Sequence, residues 1–155
     1  MKNNYLTVIG NKSTIALNFN IEKKSPKILG CFSLYLNGQI VGDLENKDTF
    51  LLAVYKQLKN VLIKQIDFLE LSGLNNRKKL DLILSGSGRY DSTILSLGES
   101  FDDYIIRVIR LEDELQFFYL KFTDFDNLIL DNSKSVTVKI NYYIDIVENF
   151  GRQLV

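Results

Sequence analysis

The chain has 155 residues, of which 46% are apolar and 12% aromatic, with nineteen basic and nineteen acidic side chains, no histidine and one cysteine. That length predicts one domain, residues 1–155, able to bury about two-thirds of the surface its unfolded form exposes. A formal charge of zero argues against direct nucleic-acid binding, which needs a basic field, and the missing histidines remove imidazole-based triads and metal sites.

In chain order, Leu6–Ile9 and Ile15–Ile21 read as strands around Gly10-Asn11-Lys12-Ser13. Ile15, Leu17, Phe19 and Ile21 share one face by period two, with Asn18 and Asn20 on the other. The single proline, Pro26, lies in a polar connection, where it disrupts no central ladder. Residues 28–36 and 39–41 form a hairpin closed by Asn37-Gly38, a pair that tolerates the positive φ of a tight two-residue turn. Cys31 sits inside that hairpin as a small buried hydrophobe, and a lone cysteine makes no internal disulfide and no thiolate cluster.

The period then becomes helical. Leu51, Val54, Leu58, Val61 or Leu62, and Leu69 define an apolar stripe, predicting a helix over 48–70 with Asp48 as its cap. A shorter helix is predicted through NNRKKLDLILS, ending near Gly86-Ser87-Gly88, with Arg77, Lys78 and Lys79 on its wet face. Residues 92–97 read as a short strand, followed by clearer strands at 104–111 and 115–122 that meet at Glu112-Asp113-Glu114. The second is apolar on both faces, as a central covered strand requires. Val136, Val138 and Ile140 mark a last strand; Tyr143, Ile146 or Val147, Phe150 and Leu154 mark a C-terminal helix. The fold class is therefore α+β: a largely antiparallel β-sheet packed against a long central helix and a C-terminal helix, read as one layer of helices on one sheet.

No motif assembles a reaction centre. SGSGRYDST lacks the spacing of a phosphate-binding loop, and Asp124 and Asp126 open a calcium-loop pattern without its glycine or terminal glutamate. No cofactor and no metal site is expected. The start of the chain has no continuous apolar core followed by a small-residue cleavage site, and no run of eighteen apolar residues occurs, so a cytoplasmic protein without a membrane partner is expected.

Charge is uneven along the chain. Residues 1–90 carry thirteen basic and seven acidic groups, whereas residues 91–131 carry three and ten. Within the acidic part, Glu99, Asp102 and Asp103 precede one strand and Glu112, Asp113 and Glu114 follow it, about 25–30 Å away along an extended chain. These six are the candidate partner-binding residues, able to steer a basic protein toward either end.

The order of an N-terminal strand pair, GCFSLYLNGQIVGD, DTFLLAVYKQL, ESFDDYIIRVIR, ELQFFYLKF and VTVKINYYIDIVENFGRQL resembles a bacterial immunity-protein family of polymorphic toxin and contact-dependent growth inhibition systems. The resemblance runs from about Ile15 to Leu154. It implies a nonenzymatic protein that binds and neutralises a cognate toxin C-terminal domain, such as a nuclease, and it brings no catalytic residues with it. Two other readings remain open: an adaptor or oligomerisation module, and a small carboxylate-dependent enzyme. The enzyme would need polar groups converging in a deep pocket, and the adaptor an apolar self-complementary edge.

Overall fold

A computed structural model describes residues 5–121 and 133–155. Among the described residues eight strands and three α-helices follow in the order β1 (Thr7–Gly10), β2 (Ile15–Lys23), β3 (Leu29–Leu36), β4 (Gln39–Val41), β5 (Thr49–Phe50), α1 (Leu51–Asn60), α2 (Asn76–Ser85), β6 (Tyr104–Leu111), β7 (Glu114–Lys121), β8 (Lys134–Lys139) and α3 (Ile140–Gln153). The α+β class and antiparallel pairing are as expected, but there are two sheets, not one. The first runs β1-β2-β3-β4 with β5 beside the start of β3; the second runs β6-β7-β8.

Register follows the apolar alternation. Ile15, Leu17 and Phe19 stand opposite Leu36, Leu34 and Phe32, and all six are buried on the face that meets the helices. The β3–β4 turn has Asn37 at φ 52° and Gly38 at φ 80°, the paired positive angles that match a tight hairpin to strand twist. Gly30 is required for another reason: a Cβ there would lie 1.9 Å from the Asn20 carbonyl oxygen.

The C-terminal stripe is the centre of the core. Tyr143, Ile146, Val147, Phe150 and Leu154 are all buried on α3. Phe150 packs edge-on to Phe19 at 4.8 Å and tilted on Phe32 at 5.3 Å, while Phe117 of β7 meets Tyr143 at 5.8 Å. The Tyr143 hydroxyl donates to the Leu58 carbonyl at 2.6 Å, joining α3 to α1, and Tyr119 of β7 donates to the Leu36 carbonyl at 3.1 Å, joining the two sheets. Strand β7 is covered on both sides. Leu115 and Phe117 enter the main core, whereas Phe118 joins a second cluster with Phe68, Leu71, Leu80, Ile83 and Tyr90.

Several expectations are corrected. The central helix ends at Asn60 and starts after Phe50; Asp48 makes no cap bond. After a turn through Lys64 the chain extends, so Ile66 and Phe68 are buried, and Leu69, which opens a 3-10 turn, is 86% exposed. The Arg110 amide donates to the Ile66 carbonyl, laying this segment along β6. Residues 92–97 do not form a strand: a 3-10 turn spans Asp91–Thr93, and Ile94 makes an isolated bridge to Arg107. Lys79 is not on a wet face, for its ammonium is buried against Gln116 at 3.3 Å. The end of the predicted strand at Phe122 and the calcium-loop candidates Asp124 and Asp126 lie outside the described residues.

Candidate functional site

The structure puts the two acidic groups at opposite ends of β6 and in different electrostatic circumstances. At the far end, Lys139 reaches Glu114 at 2.9 Å and Asp113 at 3.2 Å, and these carboxylates hold its ammonium above the ordinary lysine range, Glu114 contributing most. Arg110 donates to the Glu112 carbonyl at 3.0 Å. Two of the three carboxylates of the Glu112–Glu114 turn thus share one internal cation.

The near end differs. Glu99 begins a 3-10 turn through Phe101, and exposed Asp102 and Asp103 follow it directly into β6. Against this turn lies the connection from β4 to β5, fixed by the Asp43 amide donating to the Ser100 carbonyl at 2.8 Å and by a 3.0 Å contact between the Thr49 and Ser100 hydroxyls. Phe101 plugs the space over Gly42, where a Cβ would lie 2.9 Å from its ring. The connection contributes three further exposed acids, Asp43, Glu45 and Asp48, with Lys47 the basic residue among them. None of these six carboxylates forms an ion pair with another described residue.

Sequence reading missed Asp43, Glu45 and Asp48, since they belong to the half with a basic excess. The available signal was their spacing in a short polar connection without apolar periodicity. The acids spread over a face and do not converge: among the described residues no three His, Cys, Asp or Glu side chains come together as a metal site. Two shallow clefts of about 370 and 360 Å³ open beside them.

Other polar groups have structural work. Glu70 accepts from Arg89 Nε at 2.8 Å and from the Tyr90 hydroxyl at 3.0 Å, and its carboxyl is held below the usual range by its own main-chain amide first and Arg89 second. Half-buried Arg107 donates through Nη1 to the Tyr90 carbonyl and to Thr93, each at 3.1 Å, and burial lowers its pKa. Cys31 is buried beside Asn20, and burial pushes its thiol up.

These acids make an open, acidic face on a two-sheet frame. Residues 6–153 match the family model described as Immunity protein 42. This chain belongs to that family. The Immunity protein 42 chain is also similar in fold to the crystal structure of CdiI from Burkholderia dolosa AUO158, with a TM-score of 0.70 at 15% identity, covering 95% of this chain and 99% of that one. Among curated proteins no sequence matches significantly. In this family member Glu99 opens a 3-10 turn, Asp102 and Asp103 lead into β6, Glu112 and Asp113 form the turn after it, and Glu114 begins β7; none of the six belongs to the apolar core.

Proposed function

We propose that this protein neutralises a cognate bacterial toxin domain by binding it in the cytoplasm, without chemistry of its own. Membership of the Immunity protein 42 family across residues 6–153 is the observation that carries this reading. The acids on the 43–48 and 99–103 segments form no ion pair among the described residues, and this supports a contact surface there, because charge not met by a neighbouring cation is available to steer and orient a basic partner. A nuclease fits this charge, since a protein that grips phosphates presents a basic surface.

The test reads the adjacent open reading frame for a secreted protein with a C-terminal toxin domain and coexpresses that domain with this protein. Growth rescue together with co-purification is the expected result; a folded protein that neither binds nor rescues sinks the proposal. A nucleic-acid degradation assay on the same toxin, with and without this protein, decides the toxin class.

A further inference from the structure

The stretch Ile94–Gly98 forms a ridge between the two clefts, and its construction indicates what seats there. It leaves β6 after the bridge of Ile94 to Arg107 and the bond from the Leu95 amide to the Ile106 carbonyl, then diverges toward Ser100. Alternation anchors it: Leu95 and Leu97 are buried, while Ile94, Ser96 and Gly98 face outward. Ser96, Leu97 and Gly98 line both clefts. On the α1 side the cleft of about 370 Å³ has Phe50 and Val54 on its wall and Asp48 and Glu99 at its rim. On the β6 side the cleft of about 360 Å³ has Ile94, Tyr104 and Ile105 on its wall, with Asp102 beside them.

Resting on the toxin-binding reading, we infer that a basic segment of the toxin crosses the Ser96–Gly98 ridge and seats one lysine or arginine side chain in each cleft. A long basic side chain is amphipathic: its methylene stem covers an apolar wall while its charged head reaches acceptors at the rim. Both clefts offer that combination. An acidic occupant would be repelled by Asp48, Glu99 and Asp102, and a wholly apolar one would leave those carboxylates desolvated without partners. Two cations of the protein border the second cleft and both are committed: Arg107 lines it but donates through Nη1 to Tyr90 and Thr93, and Lys64 donates to the Ile94 carbonyl. The small outward residues Ser96 and Gly98 let a partner main chain approach the ridge closely.

The experiment measures binding of the full-length protein to the purified toxin domain encoded beside its gene. Ser96→Trp, which obstructs both clefts, and the gentler pair Asp48→Asn with Asp102→Asn are each compared with wild type at unchanged melting temperature. Either variant is expected to weaken binding by about tenfold or more, the scale of losing one well-seated contact. The isosteric pair should also flatten the salt dependence. In parallel, amide shifts on titration with a deca-arginine peptide should concentrate at Ser96, Gly98 and Asp102. Wild-type binding that both variants retain, or peptide shifts confined to the Glu112–Glu114 turn, overturns the inference and leaves the toxin-binding reading intact. Absence of wild-type binding rejects both.

Discussion

The main-chain amide of Asp43 donates to the carbonyl of Ser100 at 2.8 Å, and this bond joins two acid-bearing segments that lie more than fifty residues apart in sequence. It turns Glu99, Asp102 and Asp103 from an end-of-strand cluster into one side of a wider acidic face completed by Asp43, Glu45 and Asp48.

Charge reversal should separate the two ends of β6. Asp102→Lys with Asp103→Lys is expected to slow association with the toxin and to weaken its dependence on salt, because exposed charges act mainly on encounter. Stability should change by no more than about 0.5 kcal/mol, as for surface positions without buried partners. Stopped-flow association at two ionic strengths and a denaturant melt check both statements.

Glu112, Asp113 and Glu114 should behave otherwise. Because Lys139 already engages Asp113 and Glu114, Asp113→Asn with Glu114→Gln is expected to slow toxin association less than Asp102→Asn with Asp103→Asn does. The lysine pKa is raised in the folded state, so its contribution is whole below the unfolded lysine pKa and is lost as pH rises through the folded value. Melting temperatures of wild type and Lys139→Met, distinct near neutral pH, should converge in strongly alkaline solution.

In the core, Phe150→Ala removes a ring packed against Phe19 and Phe32, and chemical denaturation should report a loss of about 3–5 kcal/mol. Tyr143→Phe keeps the ring but strands the buried Leu58 carbonyl, for an expected loss of about 1–3 kcal/mol.

The glycines give a paired comparison. Gly30→Ala drives a methyl into the Asn20 carbonyl, so it should cost about 3 kcal/mol or more, the upper end of overpacking. At Gly38 there is open space, and only the positive φ is strained; Gly38→Ala should cost about 1–2 kcal/mol. Urea midpoints of the two variants would show the order.

Where one face decides the structure, the sequence was readable. Ile15, Leu17 and Phe19 alternate into the core as period two requires, and the α3 stripe from Tyr143 to Leu154 is buried throughout. The central helix was overread because Val61 and Leu62 continue its spacing by chance. The competing signal was the two-residue spacing of Ile66 and Phe68, which the edge of β6 captures through Arg110. Two sheets replaced one for a similar reason: β7 is apolar on both faces, and sequence does not say whether a helix or a second sheet covers each. Half of the candidate surface was legible as a run of acids before β6. The other half depended on a long-range backbone bond, to which no local pattern points.

On the proposed surface the acids Asp43, Glu45, Asp48, Glu99, Asp102 and Asp103 are exposed while Phe150, Phe19 and Phe32 hold the interior, so recognition by charge would be written in different residues from foldability. The exposed acids around the ridge can be respelled to suit a new adversary while Leu95, Leu97 and the rest of the scaffold keep their vocabulary. A lineage pressed by changing toxins could then retune its antidote one exposed side chain at a time, without passing through an unfolded intermediate sequence.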